Sequence, residues 1–92
     1  MRTEIRHEPD RSRYELLVDG EPVGVCDYRT EGERVVLPHT VIDPALRGRG
    51  LGAVLVAAAL DDIRGTGRTV VPTCWFVADF IAEHPEYHDL RA

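Results

Sequence analysis

A chain of 92 residues, 43% hydrophobic and with its charges scattered, has the composition of one folded domain with one modest core rather than a disordered tail. Its net charge of −5 offers no broad basic field, which argues against a nucleic-acid or anionic-membrane partner. All eleven cationic side chains are arginine, which excludes lysine Schiff-base chemistry and the lysine of a Walker A loop.

Cys26 and Cys74, the only cysteines, are too few and too far apart for a disulfide framework or a zinc knuckle, and no metal site is expected. They fit a reducing cytoplasm. The start "MRTEIRHEPD" has no apolar core of a signal peptide, and the longest apolar stretch, "LGAVLVAAAL", falls far short of the roughly 20 residues of a membrane span. The expectation is a cytoplasmic domain over residues 1–92, a monomer whose open sheet edges leave room for a dimer.

The first half reads as strands. "TEIRHE" is a short candidate, and "YELLVDG" runs through the turn-forming Asp19-Gly20 directly into "EPVGVCDYR", a hairpin signature. "TEGER" supplies the next turn, before "RVVLPHTVI". Pro38 cannot donate to a ladder, so this last strand should be at an edge, bulged or splayed there.

The period then changes. From Leu51 to Arg64 apolar residues occupy almost every helical face, which predicts a helix buried nearly all round, with Gly65 as its stop. "RTVVP" reads as a short buried strand closed by Pro72, and "TCWFVADFIAEHP" as a second helix ended by Pro85. The predicted class is α/β with a mixed sheet: an antiparallel β-meander, then α-β-α with a parallel pair joined by a crossover helix.

Between the third long strand and the first helix stands "RGRGLG". The first turn of a helix carries unpartnered N–H groups and partial positive charge, glycines let a ligand approach that backbone, and arginines add bidentate charge at the rim. Together these make a phosphate cradle. The spacing fits neither the dinucleotide nor the Walker pattern, but it does fit Arg-x-x-Gly-x-Gly at Arg47, Gly50 and Gly52.

That pattern resembles the acetyl-CoA pyrophosphate loop of the GNAT superfamily of acetyltransferases. Extended over the last 55 or so residues, with "HT" before the loop, Pro72-x-Cys74 after the next strand and "HPEY" near the end, it is similar to the small single-domain YjdJ-type members. The resemblance implies a minimal GNAT-like fold without the C-terminal β-hairpin of longer members, and acetyl-CoA as cosubstrate. It assigns Arg47, Gly48, Arg49, Gly50, Leu51 and Gly52 to CoA; Val41 and Ile42, at the end of the preceding strand, are expected beside them at the cofactor. It also implies a catalytic pair at His39 and Cys74. The tyrosine that many longer members use as general acid on the second helix has no counterpart in "TCWFVADF".

An imidazole with an ordinary pKa of about 6.5 can take a proton near neutral pH, so His39 is the expected base. Cys74, at the first turn of a helix whose dipole favours thiolate, is the expected acid or transient nucleophile. The two are expected within reach of each other at the acetyl group, with a backbone N–H near Val41 polarising the carbonyl. The remaining candidates have structural readings. Cys26, Trp75, Phe76 and Phe80 are expected in the core, Asp61-Asp62 at a solvated helix end, and His84, Tyr87 and His88 around a closing turn. The expected function is transfer of an acetyl group from CoA to an unidentified amine or protein acceptor. The alternatives are a non-catalytic CoA-binding regulatory module and a structural domain in which the glycines only shape a turn.

Overall fold

The computed structural model describes residues 1–92. β1 (Thr3–Glu8), β2 (Arg13–Val18), β3 (Glu21–Glu31) and β4 (Arg34–Ile42) form an antiparallel meander. α1 (Leu51–Gly65) crosses to β5 (Thr69–Val71), which lies parallel to β4, and α2 (Trp75–Glu83) follows. The spatial order of the sheet equals the chain order. This is the mixed α/β arrangement that the pattern predicts.

Turn chemistry sets the meander. Asp19 (φ 50°) and Gly20 (φ 85°) both sit in the left-handed region, the geometry of a two-residue type I′ turn, whose twist matches the strands it joins. A second two-residue turn closes the Glu31–Arg34 rung, with Gly32 taking φ 62° at its first position.

β4 carries the bulge that Pro38 demands. Between the rungs Val36–Arg29 and His39–Asp27, β4 uses one residue more than β3, so Leu37 and Pro38 face Tyr28 alone. The extra residue changes which residues share a face. Val35 and Leu37 belong to the core cluster, and beyond the bulge Thr40, paired with Cys26, takes over that face. His39, paired with Asp27, turns to the other.

One cluster of 18 buried residues fills the space between one sheet face and the helices. It joins Tyr14, Leu16, Cys26 and Leu37 of the sheet to Leu55 and Leu60 of α1 and Val77 and Ile81 of α2. Each fully buried leucine there contributes about 1.5–3 kcal/mol of transfer free energy.

The helices depart from expectation at four points. α1 is not buried all round: Val54 is 41% exposed, and Asp61 and Asp62 lie outward. Gly65 is its last residue, yet the left-handed residue that closes it is not Gly65 but Gly67 (φ 78°), whose N–H reaches the Arg64 carbonyl (3.1 Å). Trp75 is not core but 74% exposed at the first position of α2, while Phe76 is half-buried and Phe80 buried.

The fourth point concerns the acidic pair. Asp61 accepts a hydrogen bond from the Tyr87 hydroxyl (2.8 Å) and Asp62 one from the Tyr14 hydroxyl (2.7 Å), so each carboxylate ties α1 to a neighbouring element. Burial and the carboxylate push the Tyr14 hydroxyl well above the usual phenol range and Tyr87 to about 12. After α2 a 3₁₀ turn, Pro85–Leu90, leads to Arg91, which makes a parallel bridge to Val70 of β5. No β-hairpin follows α2 within residues 1–92. No helix is long and apolar enough to cross a membrane.

Candidate active site

β4 pairs with β5 only from Arg34 to Val36. Beyond that pairing the Leu37 carbonyl accepts the Cys74 N–H (2.9 Å) and the Thr73 hydroxyl (3.5 Å) as the chain turns into α2. From Pro38 to Ile42, β4 is paired to β3 alone and its other edge is free. A cleft of about 660 Å³ occupies this side, bounded by the free edge, the start of α1 and the start of α2.

Hydrogen-bond alternation along β4 identifies what faces the cleft. Asp43 N–H donates to the Val23 carbonyl (2.7 Å), so two residues back the amide of Val41 is likewise committed to β3. The amides of Thr40 and Ile42 therefore point to the free edge. A carbonyl in the gap can accept from one or the other of these donors, which stand one residue either side of the position expected from sequence.

The loop before α1 has the make-up of an anion site. Asp43 accepts the Ala45 N–H (3.0 Å) and fixes a 3₁₀ turn, Pro44–Leu46. Gly48 (φ 84°) and Gly50 (φ 75°) then take left-handed conformations that a Cβ would strain. Gly50 caps α1 without a side chain, leaving the first-turn amides of Leu51, Gly52 and Ala53 directed outward. Neither Arg47 nor Arg49 is in an ion pair. This donor set, helix amides beside two uncommitted guanidiniums, suits a pyrophosphate. Gly52 has a different reason. A Cβ there would stand 2.8 Å from Cζ of Phe76, so this glycine lets α2 pack against the first turn of α1.

The cleft brings together most of the residues predicted from sequence. Val41, Ile42, Arg47 and Gly48 line it, as do Gly50, Leu51, Gly52 and Cys74. Arg49 and His39 are not in its lining. Thr40, Trp75 and Phe76 line it and were missed: two of them pass for core aromatics in the sequence, and Thr40 reaches the cleft only through the bulge.

His39 and Cys74 do not meet. Cys74 Sγ donates to Thr40 Oγ1 (3.8 Å) on the helix-covered face. His39, its side chain 58% exposed, lies on the opposite face and donates from Nδ1 to Asp27 Oδ2 (2.9 Å). A carboxylate only accepts, so this bond leaves Nε2 as the free, proton-accepting nitrogen. The two side chains thus stand on opposite sides of one unpaired strand edge.

A mixed sheet with a splayed parallel pair, covered by helices and with a glycine-arginine loop feeding the first of them, is an architecture that fits an acyl-CoA-dependent transferase. The GCN5-related N-acetyl-transferase family profile matches residues 13–90. The chain belongs to this family, and acetyl-CoA is its cosubstrate. It is similar to Protein NATD1 of Bos taurus, with 32% identity over 83 residues, 88% of this chain and 74% of that protein. The Homo sapiens NATD1 is 31% identical over 83 residues, with the same coverage.

Among solved structures, a GCN5-like N-acetyltransferase of Staphylococcus aureus superposes with a TM-score of 0.75 at 19% identity, covering 97% of this chain and 87% of that one. N-acetylglutamate synthase of Neisseria gonorrhoeae, solved with coenzyme A and N-acetyl-glutamate, gives 0.66 at 18% identity over 88% of this chain. The chain spans only 21% of that synthase, and 39% of the Escherichia coli ribosomal-protein-S18-alanine N-acetyltransferase (TM-score 0.62, 18% identity, 65% of this chain).

Proposed function

We propose that residues 1–92 act as one acetyltransferase domain that moves the acetyl group of acetyl-CoA directly to an amine, His39 serving from one side of the β4 edge and Cys74 from the other. The observation that carries this reading is the position of both residues at one strand edge that has no partner.

The first-turn amides of α1 and Arg47 take the pyrophosphate, and the apolar cleft directs the thioester toward Cys74. The amide of Thr40, the residue that Cys74 touches, polarises the thioester carbonyl and stabilises the developing oxyanion, and the amide of Ile42 is left for an acceptor group further along the cofactor. The acceptor amine approaches from the open face. His39 Nε2 takes its proton as the C–N bond forms, while Asp27 holds the ring and supports the imidazolium. The C–S bond breaks, and Cys74 Sγ–H gives its proton to the departing thiolate. His39 returns its proton to solvent and Cys74 recovers one. The two reduced cysteines accord with action in the cytoplasm.

The test mixes the protein with acetyl-CoA and a panel of small amines and peptides, following CoA thiol release and intact mass together. Amine-dependent release without an acetylated protein species is the expected result. An acetyl adduct on Cys74 that the amine then discharges overturns direct transfer. CoA binding without release for any amine overturns the enzymatic reading.

A further inference from the structure

Three side chains form a chain that runs from the cleft, lined by Cys74 and Thr40, into the core at Cys26. Cys26 on β3 is fully buried, Thr40 faces it from β4, and Cys74 arrives from the start of α2. Thr40 Oγ1 donates to Cys26 Sγ at 3.7 Å and accepts from Cys74 Sγ at 3.8 Å. These three groups come from separate parts of the sequence and share no motif. Only the bulge at Leu37-Pro38 turns Thr40 toward the two sulfurs.

A hydroxyl has one proton to give and room to accept, so Thr40 can serve one sulfur at a time as donor. While Cys74 is a thiol, its S–H points at Thr40, and the Thr40 proton rests on Cys26. When Cys74 loses its proton, the hydroxyl is free to rotate and donate to the new thiolate instead. Cys26 tolerates the exchange because burial pushes its own thiol up to about 11, so it stays neutral and bears no uncompensated charge. We infer that Thr40 is a positioning residue for Cys74, a rotating donor parked on Cys26 that stabilises the Cys74 thiolate formed as CoA departs. The inference rests on the proposed role of Cys74 as proton donor.

The test is the rate at which iodoacetamide alkylates Cys74 near neutral pH, read by mass spectrometry, alongside kcat and KM for acetyl-CoA. Thr40→Val keeps the shape of the side chain and removes the hydroxyl. It slows alkylation about tenfold, the loss of one hydrogen bond to a charged sulfur, and lowers kcat with KM unchanged. Thr40→Ser restores both. Cys26→Ala removes the parking site and leaves alkylation at or above the wild-type rate. Melting temperatures confirm that each variant is folded.

Wild-type alkylation in Thr40→Val, or slowing that Thr40→Ser does not rescue, overturns the inference. A Cys74→Ala protein with full turnover overturns the role of Cys74, while the alkylation result still reports on Thr40 independently.

Discussion

The two halves of β4 differ in their partners, and their residues differ accordingly. Arg34–Val36 has β3 on one side and β5 on the other; Val35 and Val36 are buried there and carry no chemistry. Pro38–Ile42 keeps β3 alone, and every position after Pro38 has something to offer a ligand. Thr40 and Ile42 present free amides, Thr40 also a hydroxyl, His39 an imidazole on the open face and Val41 an exposed side chain. Removing one neighbour from a strand converts it from scaffold to site, because backbone polar groups that would close a ladder become donors for a substrate.

Inserting one glycine after Pro38 breaks this contrast most completely. With the bulge kept, His39 moves to the rung of Cys26 and exchanges faces with Thr40, so an imidazole is driven toward the core without Asp27. The expected outcome is loss of measurable turnover and a destabilisation on the order of 3 kcal/mol, read by urea denaturation. Unchanged activity would show that the register beyond the bulge does not set the faces.

His39→Ala leaves the strand intact and removes only the open-face chemistry. kcat falls by about 10²–10⁴-fold, while the affinity for CoA is unchanged. Because the side chain is mostly exposed, stability stays within about 0.5 kcal/mol. A variant with normal kcat at all pH values would remove histidine as the base.

Gly52→Ala sharpens the picture on the loop side. Its Cβ would press on the Phe76 ring at 2.8 Å, costing about 1–3 kcal/mol in thermal or chemical unfolding. Phe76→Leu in the same chain recovers most of that loss if packing is the reason for the glycine. Failure of this rescue would point to the ligand as the reason.

The smallest effect lies away from the gap, at Tyr87. Its hydroxyl is held at about 12 in the folded protein, chiefly by burial and then by Asp61, against 10.0 as the ordinary value. Between those values the unfolded chain has released a proton that the folded chain retains, so stability declines as pH rises through that window. The chain has no lysine to titrate there, so tyrosine and cysteine carry the alkaline slope. Tyr87→Phe flattens the melting temperature between about pH 10 and 12; an unaltered slope would contradict this account of Tyr87.

What could be read from sequence was what local chemistry decides. Asp19-Gly20 fixed a hairpin, Pro38 announced a strand at an edge, bulged or splayed, and the glycines beside Arg47 and Arg49 marked a helix start built as a phosphate cradle. What escaped depends on long-range register. Simple alternation from Val35 and Leu37 puts His39 on the core face and so beside Cys74; one inserted residue reverses it. Trp75 looks like core by composition, yet the first position of a helix can point away from the cluster that its neighbours Val77 and Ile81 fill. The bonds from Asp61 to Tyr87 and from Asp62 to Tyr14 span 26 and 48 residues, beyond any local pattern.

The central claim is that the unpaired half of β4, together with the first turn of α1, receives acetyl-CoA. Titrating CoA into isotopically labelled protein and following backbone amide resonances tests it directly. The account predicts the largest shifts at Thr40, Ile42, Leu51, Gly52 and Ala53, with β1 and the Arg34–Val36 half of β4 nearly silent. Shifts at the α1 amides with none at Thr40 and Ile42, or shifts centred on β1 and β2, would contradict it.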